Sequence, residues 1–315
     1  MAKLIILCGL PGSGKSYYAE NYKAFCNAYH EGSTVVHSSD AIRKELFGGA
    51  GFQGDNAKVF ELMHKRVKED LRADKIVIYD ATNVTRKARR GAINLANKGD
   101  KVECHIIWAD PHVCIKRDEN RERSVGKEVI EKMLRRWQSP YIDEGFDFVT
   151  VILNQKNFDQ VHYISSMTSN MHIPHDNPHH TLGVWEHCMQ AYFNIDQAIS
   201  EKCTSHDIEL LKTAAYWHDI GKPWTKGYKA DKETGKIDYS VAHYYDHHCV
   251  GGYLSYGLFL SNHLMSMEEA DDTCFISWLI ANHMEGFFNS KYYRELNPQW
   301  KHYLEILHEA DLAAH

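Results

Sequence analysis

The sequence predicts an α/β domain, a parallel sheet with helices on both faces, followed by a second domain that is all-α. Three observations predict this. Short apolar runs alternate with amphipathic stretches up to about residue 155, a glycine-rich loop follows the first run directly, and beyond about residue 180 the periodicity is helical almost to the end. The 315 residues can bury two cores. The change of pattern puts the boundary near 155–170, with domains at 1–157 and 165–315.

Leu4–Cys8, Thr34–His37, Ile76–Tyr79, Val102–Trp108 and Phe148–Leu153 are expected strands. Between them the amphipathic stretches near 15–28, 40–48, 55–73, 86–98, 111–122 and 127–138 are expected helices. Val161–Ile164 looks like a further strand leading into the Pro/His/Asn stretch Ile173–His180. In the helical half, Tyr228–Tyr239 is rich in Lys, Asp, Gly and Thr, which predicts an exposed loop or small hairpin.

Charge divides the chain as well. Residues 1–157 carry a net +5 and residues 158–315 a net −11, while 16 of the 21 histidines fall after residue 157. The first half suits polyanions such as nucleotides or nucleic-acid ends, and the second concentrates metal-ligand types among carboxylates. No apolar run is long enough to span a bilayer, no signal-peptide pattern opens the chain, and the 8 cysteines form no C-x-x-C pair. A cytoplasmic protein with reduced thiols and no membrane partner is expected.

Gly9-Leu-Pro11-Gly12-Ser13-Gly14-Lys15-Ser16 fits G-x-x-x-x-G-K-[ST] at every fixed position, after a strand and before a helix. Such a loop turns backbone N–H groups toward phosphate oxygens at a helix N-terminus, Lys15 reaches the β/γ-phosphates, and Ser16 supplies a hydroxyl to Mg2+. ATP or another NTP with Mg2+ is therefore the expected cofactor. Asp40, after the second strand, lies at the carboxyl edge where ligands of parallel sheets bind. There it can accept the proton of an attacking hydroxyl or N-cap the next helix. Arg43, one turn on, can hold an acceptor phosphate. Asp80 and Asn83 emerge at the same edge as candidate substrate-binding residues, followed by Arg86, Arg89 and Arg90. Arg117 and Arg121, in a cluster with Lys116 and Arg123, can close as a lid over the transferring phosphoryl. The alternative for that cluster is an ordinary solvated face, its charge balanced by Asp118, Glu119 and Glu122.

Residues 1–155 resemble the P-loop kinase domain of the 5′-hydroxyl polynucleotide kinases of RNA repair. The resemblance rests on GLPGSGKS, SSDAIR, DATN with its basic followers, and the R-x-x-x-R spacing of Arg117 and Arg121. It implies that Asp40 is the general base, that Arg43 contacts the acceptor phosphate, and that Arg117 and Arg121 grip the donor. P-loop kinases of small molecules share much of this pattern.

In the second half an apolar helix delivers His218-Asp219 and runs on to Gly221-Lys222, with the glycine expected to terminate it. Trp185-Glu186-His187, His247, His283 and Asp311 are candidate partners, and His243 is a rival to His247. Imidazole and carboxylate together suit a hard-to-borderline divalent metal. This set resembles the HD phosphohydrolase superfamily, most specifically the HD domain attached to bacterial tRNA nucleotidyltransferases. The resemblance implies one metal on His187, His218, Asp219 and Asp311, and a second on His247 and His283 with Asp219 bridging. The metal would be Mn, Ni, Co, Fe or Mg. It further implies that Lys222 contacts the substrate phosphate and acts in catalysis, and that His180 lies near the substrate. His162, His172, His175, His206, His263, His302 and His308 are expected to be filler.

Together these readings predict an enzyme of nucleic-acid end healing, with RNA favoured over DNA and an RNA ligase as functional partner. One domain would phosphorylate a 5′-OH end, and the other would remove a 2′,3′-cyclic, 2′- or 3′-phosphate. Two alternatives stand beside this: a small-molecule or nucleoside kinase joined to a nucleotidase, and an NTP-gated module that regulates the HD domain.

Overall fold

A computed structural model describes residues 2–29, 33–48, 55–121, 123–176, 181–199, 202–230, 234–261 and 265–314. The chain divides into two compact units, one of residues 1–134 with 140–157, the other of 135–139 with 158–315.

In the first unit the elements are β1 (Lys3–Cys8), α1 (Lys15–Tyr29), β2 (Thr34–Ser38), α2 (Ser39–Phe47), α3 (Asn56–Arg72), β3 (Ile76–Asp80), α4 (Arg86–Ile93), β4 (Lys101–Trp108), α5 (Pro111–Glu119), α6 (Lys127–Leu134) and β5 (Phe148–Leu153). The five strands form one sheet in the order β2-β3-β1-β4-β5, parallel throughout. The step from β1 to β2 runs one way along the sheet, and the later steps run the other. Right-handed crossovers therefore put α1 on one face and α3 to α6 on the opposite one. Side chains obey this. Ile5, Leu7, Ile78 and Ala19 form a core under α1, while α3 buries Val59, Met63, Val67 and Leu71, one residue per turn.

The second unit contains α7 (Gln160–Met171), α8 (Val184–Ala198), α9 (Ser205–Trp217), α10 (Lys222–Thr225), β6 (Gly227–Ala230), β7 (Ile237–His243), α11 (His247–Leu254), α12 (Tyr256–Phe259), α13 (Met267–Asn282), α14 (Glu285–Phe288), α15 (Lys291–Glu295) and α16 (Pro298–Leu312). Its centre is α13, buried around its whole circumference from Thr273 to Asn282 and packed against α9, α11 and α16. Tyr228–Tyr239 contributes to an antiparallel hairpin, β6–β7.

Val161–Ile164 is helical, not extended. Asp159 accepts a hydrogen bond from His162 N–H as the cap of α7, and Tyr163, Met167 and Met171 are buried at helical spacing, leaving β-branched Val161 at 78% exposure. The stretch 127–138 is helical only to Leu134. Arg135–Ser139 then joins the second unit, where Trp137 is fully buried edge-on against Tyr253 and Tyr256 and donates to Ser139 Oγ. Ser139 in turn bonds Ser277 of α13, and Arg135 donates to the carbonyls of Tyr245 and Trp224.

Candidate active sites

The glycine loop joins β1 to α1. Gly12 has φ +83°, and a Cβ there would lie 2.2 Å from the Cys114 carbonyl oxygen; Gly14 has φ +92°, with Asn154 Nδ2 at 1.9 Å from its virtual Cβ. Neither position tolerates a side chain. Asn154, just past β5, donates to the Ser13 carbonyl at 2.9 Å and so ties the loop to the far edge of the site. Lys15 is buried, its Nζ donating to the carbonyls of Gly9 and Leu10 at 3.1 and 2.9 Å. Burial pulls its pKa below the usual lysine value, against the opposing charge of Asp80.

At the carboxyl edge of β3, Asp80 Oδ2 accepts from Ser16 Oγ at 2.8 Å. The structure thus pairs Asp80 with the hydroxyl assigned to Mg2+. The donor set fits the ion: one hydroxyl, one buried carboxylate and a phosphate-binding loop beside them. Asn83, buried with φ +49°, donates through Nδ2 to the Leu7 carbonyl, and Arg89 is fully buried, paired with Glu144 and the Asn83 carbonyl. Both hold the β3 edge against β1. Burial opposes charge on Arg89, but the Glu144 carboxylate outweighs it and raises the guanidinium pKa.

Asp40 does not N-cap α2; Ser38 occupies the cap, and Asp40 in the first turn accepts from Arg123 Nη1 at 3.0 Å with its side chain 65% exposed. Arg43 is buried and donates to Asn56 Oδ1 at 2.7 Å. Arg117 donates to the Gly12 carbonyl at 3.3 Å. Arg117 and Arg121 line one cavity with Gly12, Gly14, Tyr17 and Asn154, about 770 Å3 in volume. Asp118, read as a solvated charge, is buried. Its Oδ2 accepts from Ser124 Oγ and from the N–H groups of Val125 and Gly126 at 2.7–3.0 Å, so it holds the turn from the arginine segment into α6.

In the second unit five elements converge. His187 comes from α8, His218 and Asp219 from the end of α9, His247 from the first turn of α11, His283 from the end of α13 and Asp311 from α16. His187 Nε2 lies 2.8 Å from Asp311 Oδ1 and 3.2 Å from His218 Nε2. His247 Nε2 lies 3.2 Å from Asp219 Oδ1 and 3.1 Å from His283 Nε2. His187, His218 and Asp219 form one possible ion-binding group and Asp219, His247 and His283 a second, sharing Asp219.

The hydrogen bonds behind these rings fix their tautomers. The Nδ1 atoms of His187, His218, His247 and His283 each meet a backbone carbonyl, of Ala314, Ala215, Tyr244 and Ile280, at 2.6–2.8 Å. A carbonyl only accepts, so every Nδ1 carries a proton and every Nε2 points inward, with a lone pair there whenever the ring is neutral. Two pairs of such nitrogens then face each other and two carboxylates in a buried space, a donor set that fits divalent cations. Lys222, His218 and His247 hold the Asp219 carboxyl well below its usual range, although burial pushes it up. For Asp311 the same balance of burial against His218 and His187 gives a lowered pKa. Burial and the neighbouring His247 and His218 push His283 well down; on His218 burial is overcome by Asp219, Cys188 and Asp311, and its pKa rises.

Gly221 does not end α9. The helix stops at Trp217 with His218 as its cap, and Gly221 has φ −81°. What it supplies is space, because a Cβ would stand 2.0 Å from the His247 carbonyl oxygen. Lys222 Nζ lies 2.5 Å from Asp219 Oδ2 and 2.9 Å from His175 Nε2. His175, taken as filler from the sequence, is buried with Nδ1 on the Leu182 carbonyl, and Tyr244 packs its ring beside Lys222 and donates to the His175 carbonyl. No sequence spacing signals this, since the contact is made by a loop 47 residues away from Lys222. His243 stacks on Tyr245 at the end of β7, outside the two groups. His180 lies outside the described residues.

Two family models match the chain. Residues 4–140 match the family model described as an AAA domain, and residues 179–313 match the HD domain. L-seryl-tRNA(Sec) kinase of Methanococcus maripaludis is 28% identical over 164 residues, 49% of this chain and 60% of that protein. Among solved structures, one of the Pnkp1/Rnl/Hen1 RNA repair complex has a TM-score of 0.39 at 23% identity, covering 50% of this chain and 51% of that one. A gluconokinase from Sinorhizobium meliloti 1021 has a TM-score of 0.33 at 17% identity over 49% and 83%. The chain spans only about 60% of the curated relative and about half of the RNA repair chain. It carries an AAA-type P-loop kinase domain followed by an HD domain. Among the described residues no helix is long and apolar enough to cross a membrane.

Proposed function

We propose that this chain heals broken nucleic-acid ends, RNA in preference to DNA. The first unit would transfer the γ-phosphate of an NTP to a 5′-OH, and the second would remove a 2′,3′-cyclic, 2′- or 3′-phosphate. The observation that carries this is the pairing, in one chain, of a phosphate loop whose Ser16 meets the Asp80 carboxylate with a buried, Asp219-centred imidazole cluster.

In the kinase unit Asp40 accepts the proton of the attacking hydroxyl, once the acceptor has taken the place of Arg123 on its carboxylate. Arg43 meets the phosphate next to that hydroxyl. Lys15, Arg117 and Arg121 neutralise the donor phosphates as negative charge moves to the leaving oxygen. In the HD unit His187, His218, Asp219 and Asp311 would hold one divalent metal and His247 and His283, with Asp219, a second. Such ions lower the pKa of water and polarise phosphoryl oxygens. Lys222, held by Asp219 and His175, meets a phosphate oxygen. An RNA ligase would use the products, a 5′-phosphate and a 3′-OH.

The seryl-tRNA kinase relative favours a second reading of the kinase unit, with a hydroxyl on an RNA-borne aminoacyl group as acceptor. One assay separates the two. A γ-labelled NTP is offered to a 5′-OH oligoribonucleotide and to seryl-tRNA, and a 2′,3′-cyclic-phosphate-ended strand is offered separately, with Lys15→Ala, Asp40→Ala and Asp219→Ala in parallel. Label reaching the 5′ end in wild type alone of the kinase variants supports end healing. Label only in an alkali-released serine phosphate refutes it. Loss of phosphatase in Asp40→Ala but not in Asp219→Ala refutes the division of labour.

A further inference from the structure

An aromatic shelf adjoins Asp219, His247 and His283. His248 follows His247 in α11, its ring 5.7 Å from that of His247 and 6.2 Å from that of His283. The Phe288 ring, at the end of α14, is 6.0 Å from His248 and tilted by 60°. Phe288 is 61% exposed, a large apolar ring at the rim of a polar cluster.

Local bonding holds it there. Phe287 packs edge-on against His308 at 4.0 Å, and Gly286 leaves the room this needs, since a Cβ would come within 3.2 Å of the His308 ring. Phe287, 44% exposed, turns one edge to α16, and Phe288 is the more open of the two rings. Asn289, in the left-handed region, closes α14 onto the Glu285 carbonyl, and Arg294 donates to the Asn289 carbonyl at 2.5 Å. Arg294 is the one arginine after residue 157, and that bond spends it on the turn rather than on phosphate.

We propose that Phe288, with His248 beside it, is a stacking platform for the nucleobase of the nucleotide whose phosphate enters the Asp219 cluster. The inference rests on the nucleotide-end reading of the HD unit and deepens it by naming the group recognised, a base on the same ribose as the scissile phosphate. The arrangement has a direction. Lys222 meets Asp219 at Oδ2 and His247 meets it at Oδ1, while His248 and Phe288 lie next to His247 and His283. A phosphate at Lys222 therefore leaves its sugar and base toward the rings. A phenyl face has no hydrogen-bonding edge, so it takes any base. A small phosphorylated sugar leaves the shelf uncovered.

The test uses the full chain with Mn2+ and two ligands, 2-aminopurine riboside 3′-phosphate, whose fluorescence falls on stacking, and abasic ribose 3-phosphate as competitor. Phe288→Ala is compared with Phe288→Trp and with Phe193→Ala, which removes an exposed ring of α8. Wild type, Phe288→Trp and Phe193→Ala are expected to quench the probe and to prefer it over the abasic ligand. Phe288→Ala is expected to bind the probe about tenfold more weakly and to lose the preference. Equal probe affinity in wild type and Phe288→Ala overturns the platform, as does an equal loss for both ligands or a wild type without preference. A wild type that quenches the probe yet cleaves no nucleotide 3′- or cyclic phosphate refutes the phosphohydrolase reading while leaving the platform in place.

Discussion

Replacing Gly221 with alanine tests how the HD cluster is assembled. The backbone at Gly221 accepts any residue, with φ −81°, so the cost is spatial. The new Cβ would stand 2.0 Å from the His247 carbonyl oxygen, 2.7 Å from Gly251 N and 3.0 Å from His247 C, all main-chain atoms of α11 that no rotamer change removes. Ordinary contact begins near 3.4 Å, so the α9–α10 turn and α11 must part by about 1.4 Å. Overpacking of this kind costs about 1–3 kcal/mol. The functional effect is larger, because His247 is the first residue of α11 and metal–ligand distances tolerate only about 0.2 Å. On the proposed ligand assignment, Gly221→Ala is expected to keep the fold, to keep one metal on His187, His218, Asp219 and Asp311, and to lose the other. Metal content by mass spectrometry and Mn2+ titration by calorimetry read this directly, with urea unfolding as the control. Two equivalents of metal bound with wild-type affinity would refute the close-approach argument.

Other perturbations follow from the same contacts. Trp137→Ala empties a fully buried site in the second unit and is expected to cost about 3–5 kcal/mol, seen as a lower melting transition of that unit while NTP binding by the first persists. Asp118→Ala removes three hydrogen bonds from the turn into α6 and is expected to raise KM for the NTP several-fold through Arg117 and Arg121, whereas an unchanged KM would divorce that turn from the lid. Glu103 is pressed from an ordinary 4.5 to about 2; burial resists this, but His105 and Lys3 prevail. A depressed folded pKa means stability that is complete above pH 4.5 and drains away as pH falls toward about 2. Glu103→Gln is therefore expected to be less stable than wild type at neutral pH and to flatten acid unfolding in that window, measured by circular dichroism.

Much of both sites is written locally. The loop Gly9–Ser16 specifies its own conformation through glycines at positive φ, and the strands β1 to β5 are apolar runs with no helical alternative. His187, His218, Asp219, His247, His283 and Asp311 could be named together because each is followed or preceded by a distinctive neighbour, although nothing local shows that their Nε2 atoms converge. What escaped the sequence depends on distant packing. Asp118 reads as surface charge until the turn 124–126 folds onto it. His175 acquires a partner only when its loop meets Lys222, and Val161 looks extended until Tyr163, Met167 and Met171 find the core. Arg135–Ser139 continues an amphipathic pattern, and only Trp137 in the pocket of Tyr253 and Tyr256 ends it.

That five-residue excursion has a consequence for engineering. A protein made by joining two finished domains end to end can be returned to its parts by cutting one bond. Here the thread passes from one unit to the other at 134/135, back at 139/140 and over again at 157/158. A single cut after residue 157 leaves the HD fragment without Trp137 and leaves Trp137 in the other fragment without Tyr253 and Tyr256. A cut at that point therefore leaves each part short of a packed contact that the intact chain supplies.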